Sequence, residues 1–148
     1  MIKDFIEEFR AFCQQNEQKE EAFKRTFPAS PNFVILQRLC EQYYIHEDSK
    51  NFQNKITTEV QQIIDEIRDD AKTQKALEEW LDATQDGIVS RVKADFPELK
   101  ESDIKLFCFL AAGFTSTMIS VFLSKGKNVV YNRTSRLKAK IRVKGYRL

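Results

Sequence analysis

Along nearly the whole of this 148-residue chain, apolar residues recur every three or four positions, and no run alternates apolar with polar residues between turn-forming residues. A chain patterned this way can bury its apolar side chains only as stripes along helices, so the sequence reads as all-α. Ile2, Phe5, Ile6, Phe9, Phe12 and Cys13 form the first stripe, QQNEQKEE dilutes it, and Ala22, Phe23 and Phe27 resume it, as one long helix or two short ones. The PASP stretch from Pro28 to Pro31 stops it, because proline lacks the N–H that a helix interior needs. A second helix is expected over Asn32 to Tyr44, with Phe33, Leu36, Leu39, Cys40 and Tyr43 on one side. Ser49 or Asp48 can cap a third, whose stripe of Phe52, Ile56, Val60, Ile63, Ile64 and Ile67 runs to about Ala71. A fourth carries Leu77, Trp80, Leu81, Ile88 and Val92 toward Phe96, with Gly87 as its weak point. The early phenylalanines, Trp80 and the Tyr43–Tyr44 pair read as core or interface packing rather than a cofactor box.

The length allows one ordinary domain or two small ones. The Pro97-containing segment FPELKES is the best boundary, giving a helical body over 1–98 for dimerisation or signal coupling, and a second domain over 99–148. No apolar run reaches the roughly 18 residues of a membrane span, and MIKDFIEEFR is acidic where a signal peptide would be apolar, so a cytoplasmic protein is expected. Cys13, Cys40 and Cys108 are odd in number and lack CxxC spacing, and His46 is the lone histidine; they read as reduced, buried thiols with no metal site. Asp69 and Asp70 read as part of an ordinary solvated run. With no Gly-rich phosphate loop and no nucleophile beside a base, no catalytic residue, metal or cofactor is assigned and an enzyme is not expected.

Charge is divided unevenly along the chain. After Asp103 there is no acidic residue, while Lys105, Lys125, Lys127, Arg133, Arg136, Lys138, Lys140, Arg142, Lys144 and Arg147 follow. All 22 acidic residues therefore lie in 1–103, and the near-neutral total of +2 hides an acidic body joined to a basic end. That asymmetry points to a polyanionic partner or, more blandly, to a solvated basic face.

The basic end reads as three helices. Ser102 is expected to cap the first, with Lys105 leaving the capping box incomplete and Ile104, Phe107, Cys108, Leu110 and Ala111 as its buried stripe. Gly113 ends it with a positive φ, and Thr115 or Ser116 caps the next helix, which packs through Ile119, Phe122 and Leu123. In the KGKN turn, Gly126 suits an unusual backbone conformation and Asn128 a cap. The last helix, from about Val129 to Arg142, buries Val130, Leu137 and Ile141 and presents Asn132 and Ser135, flanked by Tyr131, Arg136 and Lys138. A helix anchored on one side and polar on the other can enter a major groove and reach base edges, while Lys127, Arg133, Arg136, Lys138 and Lys140 reach phosphates.

The segment from Leu99 to Ile141 resembles the LuxR-type helix-turn-helix. Leu99, Asp103, Gly113, Thr115, Ile119, Ser120, Leu123, Val130, Leu137, Lys140 and Ile141 fall at matching places without a gap, while Met118, Lys125, Val129 and Arg133 depart from the pattern. The resemblance implies double-stranded DNA as partner, base contacts from Tyr131, Asn132 and Ser135, and a transcriptional regulator. LQRLCEQYY, DFPELKESDIKLFCFLAAGF and VVYNRTSRLKAKI are also similar to the C-terminal cytoplasmic region of bacterial regulators with tetratricopeptide repeats and a membrane helix upstream, which implies an output fragment of a longer, membrane-tethered sensor. A homodimer reading a pseudo-palindrome is expected, with the exposed aromatic face of Phe5, Phe9 and Phe12 as its interface or as the continuation of an upstream stalk. A helical protein-interaction module and a sigma-factor-like promoter-binding domain are the alternatives.

Overall fold

Polar and glycine-containing breaks divide the periodic stripes into helices of eight to twenty residues. A computed structural model of the chain describes residues 2–17 and 30–148, and the described residues form α-helices and no strand, as the apolar spacing predicts. In order these are α1 Ile2–Glu17, α2 Pro31–Ile45, α3 Lys50–Asp69, α4 Ala71–Thr84, α5 Ile88–Asp95, α6 Glu101–Ala111, α7 Ser116–Leu123 and α8 Lys127–Arg142. The expected resumption of the first stripe at Ala22, Phe23 and Phe27, and its stop at Pro28, lie outside the described residues. Among the described residues no helix is long and apolar enough to cross a membrane.

Two compact units form, Met1–Ala76 and Leu77–Leu148. In the first, the short turn after His46 folds α3 back along α2, and Ser49 caps α3 by accepting from the Phe52 N–H at 3.3 Å. Phe33, Leu36, Leu39 and Cys40 of α2 are buried, as are Ile56, Val60, Ile64 and Ile67 of α3. α1 packs on both helices. This overturns the expected interface: Phe5 and Phe9 are 0% exposed and stack on each other at 5.6 Å, and Phe12 is half-buried. The stripe is spent inside the protomer because α1 supplies the third wall of this core, and Arg10 covers its rim by lying 4.2 Å from the Tyr44 ring. Cys40 packs as an apolar side chain, and its burial first, then the nearby Glu41 charge, push the thiol up to about 12. Cys13, Cys40 and Cys108 are all buried.

Asp70 has more to do than its place in a charged run suggested. It breaks the helical path between α3 and α4 at φ −83°, ψ 115°, and accepts from the Lys72 N–H at 3.2 Å and the Thr73 hydroxyl at 2.7 Å. Buried Thr73 in turn accepts from the Asn32 side-chain amide at 2.8 Å, which ties the start of α2 to the start of α4. The Thr73 hydrogen bond foremost, then the Lys72 N–H, hold the Asp70 carboxyl below its ordinary range.

The second unit begins at Leu77 and therefore includes the end of α4 and all of α5 as well as residues 99–148. The single helix expected from Leu77 toward Phe96 is two, α4 and α5, because the chain turns at Asp86 and Gly87, with φ of 53° and 68°, at the expected weak point. Across this turn Asp82 of α4 caps α5, accepting from the Val89 N–H at 2.8 Å, the Ser90 N–H at 3.2 Å and the Ser90 hydroxyl at 2.6 Å. Burial would raise the Asp82 carboxyl, but the hydrogen bonds from Ser90 and Val89 outweigh it and hold the group low. Replacing Asp82 by Ala removes a cap and is expected to cost about 1–2 kcal/mol in urea unfolding at neutral pH. A carboxyl depressed in the folded state stabilises fully above its unfolded value, about 3.9, and loses that contribution as pH falls through the lower folded value, so the wild type and variant should converge in strong acid.

Candidate nucleic-acid interface

Two helix-ending turns set where α8 lies. At the end of α6, Gly113 takes φ +90°, its N–H bonds the Leu110 carbonyl at 3.0 Å, and the Phe114 N–H reaches back to the Phe109 carbonyl at 3.2 Å. This is a Schellman closure, and its hydrophobic contact is present in the Phe109 and Phe114 rings at 5.9 Å. Phe122 of α7 completes the cluster, 5.1 Å from Phe109 and 5.2 Å from Phe114. α6 is more deeply enclosed than one stripe would allow: Leu106, Phe107, Cys108 and Phe109 are consecutive and all buried, while Leu110 and Ala111 are half-buried. Its N-terminus falls at Lys100 instead of Ser102, and the Asp103 carboxylate accepts from the Lys100 N–H at 3.2 Å, one half of a capping box. Thr115 caps α7 by accepting from the Met118 N–H at 3.2 Å.

The same closure ends α7, with a different residue carrying the strain. Ser124 takes φ +54°, its N–H bonds the Val121 carbonyl at 3.2 Å, and the Lys125 N–H bonds the Ser120 carbonyl at 3.1 Å. Gly126, expected to need an unusual conformation, sits at φ −63°, ψ 155° as the N-cap of α8. Consequently α8 starts at Lys127, two residues early, and Asn128 lies inside it with its side chain unused as a cap. The Ser120 hydroxyl donates to the Lys125 carbonyl at 2.6 Å and holds this turn from within.

α8 divides into four stripes. Val130, Leu137 and Ile141 are buried, with the Thr134 hydroxyl oxygen enclosed among them in sequence and without a hydrogen-bond partner. Asn128, Asn132, Ser135 and Ala139 repeat the spacing of 130, 134, 137 and 141 displaced by two residues, which at about 100° per residue puts them on the opposite side. All four are exposed. Lys127, Tyr131, Lys138 and Arg142 border this uncharged stripe on one flank, and Val129, Arg133, Arg136 and Lys140 on the other. Of the residues expected to touch bases, Asn132 and Ser135 thus share the outer stripe, whereas Tyr131, 68% exposed, shares a flank with cations. Lys127, Arg136 and Lys140 are exposed and Arg133 and Lys138 half-buried. Asn128, Ala139 and Arg142 were missed as members of this surface. Carrying the same spacing one turn in each direction from Asn132 and Ser135 would have found the first two.

The far end of α8 is fastened by a device that no sequence pattern announced. After Arg142 the chain turns through Gly145, φ +88°, and brings Tyr146 back, its hydroxyl donating to the Asp95 carboxylate at 2.5 Å. Lys144 donates to the Asp95 carbonyl at 3.0 Å and lies 5.3 Å from the Phe96 ring. Lys140 pairs with Glu98 at 3.3 Å, both half exposed, so this cation is partly offset by a weak pair that an incoming phosphate can replace. A hydrogen bond from its own backbone N–H, and Lys140 after it, hold the Glu98 carboxyl low. Burial first, then the Asp95 hydrogen bond, push the Tyr146 phenol up.

Chemically, the surface is an uncharged hydrogen-bonding ridge between two cationic edges. No family model matches the chain, and no curated protein or solved structure matches it either.

Two substitutions test the supports of α8. Ser124→Gly relieves a left-handed residue carrying a Cβ and should raise stability by about 0.5–1 kcal/mol in denaturant unfolding. Tyr146→Phe deletes a hydrogen bond to a carboxylate and should cost about 1.5–3 kcal/mol, read in the same way.

Proposed function

We propose that the chain binds double-stranded DNA sequence-specifically as a transcriptional regulator, laying α8 in the major groove. α6 to α8 act on this reading as a LuxR-like helix-turn-helix over 99–148, within the compact unit that begins at Leu77, and the unit ending at Ala76 couples a signal or a second copy to it. The observation that carries the reading is the four-striped α8, uncharged along its outer line, where Asn128, Asn132 and Ser135 are polar, and edged by Lys127, Lys138 and Arg142 on one side and Arg133, Arg136 and Lys140 on the other. Phosphates stand along both walls of a major groove and base edges along its floor, so a helix with this division meets each with the right chemistry. The confinement of acidic residues to 1–103 supports it further, because no carboxylate interrupts the basic segment. A single reading helix contacts one short half-site, which favours a homodimer on a pseudo-palindrome. The similarity to the output region of membrane-tethered sensors suggests that this chain relays an upstream signal.

Titration of a labelled duplex against the chain at several salt concentrations tests the reading. With up to six flanking cations available, log affinity should fall against log salt with a slope of about −3 to −5. Arg136→Ala should weaken all duplexes alike and flatten the slope by about 1, while Asn132→Ala should lower the preference among sequences. Indifference to duplex DNA in dilute buffer would sink the proposal.

A further inference from the structure

We infer that Asn128 is a second reader of base edges, and that together with Asn132 it selects duplexes carrying two adenines one or two base pairs apart. The inference rests on the DNA-binding reading above and adds to it the identity of the bases read.

Asn128 and Asn132 lie one helical turn apart on the exposed stripe opposite Val130, Leu137 and Ile141. Neither carboxamide is engaged within the described residues: Gly126, not Asn128, caps the helix, and Asn132 contributes only its backbone carbonyl, to Arg136 at 3.4 Å. Each amide therefore keeps its donor and acceptor pointing outward and unspent. Cations edge the stripe on both flanks, so phosphates are drawn to the edges and the two amides are left over the groove floor. There an asparagine side chain matches adenine, accepting from N6 and donating to N7 in a pair that no other base offers in the major groove. Four residues of helix rise by about 6 Å, against about 3.4 Å between stacked base pairs, which brings the two amides over neighbouring or next-but-one pairs.

Selection of bound sequences from random duplex DNA, using the full chain as wild type, Asn128→Ala and Asn132→Ala, tests this. The wild type should enrich a motif with two adenine positions one or two base pairs apart. Asn128→Ala should lower the adenine preference about 5- to 100-fold at one of them and leave the other, and Asn132→Ala should do the reverse. Because the Asn128 side chain holds nothing within the chain, its variant should melt with the wild type; a loss of fold would assign the residue to stability and overturn the inference. An enriched motif that Asn128→Ala leaves unchanged also overturns it, while the DNA-binding reading stands. A wild-type pool without any enriched motif overturns both.

Discussion

The packing of Phe109, Phe114 and Phe122 around the Gly113 turn, Phe109 stacked on Phe122 and Phe114 edge-on to both, is the constraint on which the C-terminal unit depends. A positive φ at Gly113 lets α6 end abruptly, and the ring of Phe114 then swings back onto Phe109, one turn inside the helix that has just closed. Phe122 can join them only if α7 leaves at one angle. Since α7 ends in a second closure of the same kind at Ser124, the direction of α8 follows from two turns and one aromatic cluster. The core decides where the outer face of α8 looks.

α8 is held at both ends by different physics. Near its start the restraint is apolar, through Val130 and the α7 packing, with the Ser120 hydroxyl closing the turn. Near its end the restraint is polar and aromatic, through Tyr146, Lys144 and Lys140 reaching Asp95, Phe96 and Glu98. On the proposed reading, a helix that presents side chains to a rigid partner gains from such fixing, because side chains ordered on folding need not be ordered again on binding. The same contacts explain why the compact unit starts at Leu77 and not at the proline boundary: α5 is capped from α4 by Asp82 and offers Asp95 to the C-terminal turn.

Much of this was legible in the sequence. The helical period yielded the all-α class, the α8 stripe, most of the α2 and α3 stripes and the positive φ of Gly113, because amphipathic spacing and glycine preference are local properties; Phe52 is exposed on α3, and on α7 Met118 is buried where Leu123 was expected. What could not be read was whether a given apolar face meets its own chain or another. Phe5 and Phe9 look alike from either point of view, and only the packing of α1 on α2 and α3 shows that they are interior. Likewise Asp82 and Asp70 are unremarkable among charged neighbours, and each becomes a cap only when a turn carries its carboxylate to a helix start.

The sequence by itself determined the division between an acidic body and a basic end, the helical class, and the apolar line of Val130, Leu137 and Ile141 along the last helix. These follow from composition and from a period of 3.6, which need no partner to exist. Only the tertiary structure decided that α8 begins at Lys127, that strain falls on Ser124 and not on Gly126, and that Tyr146 returns to Asp95. Helix ends are settled by competition among nearby caps and by contacts between residues far apart in the chain, and neither leaves a periodic trace in the order of the residues.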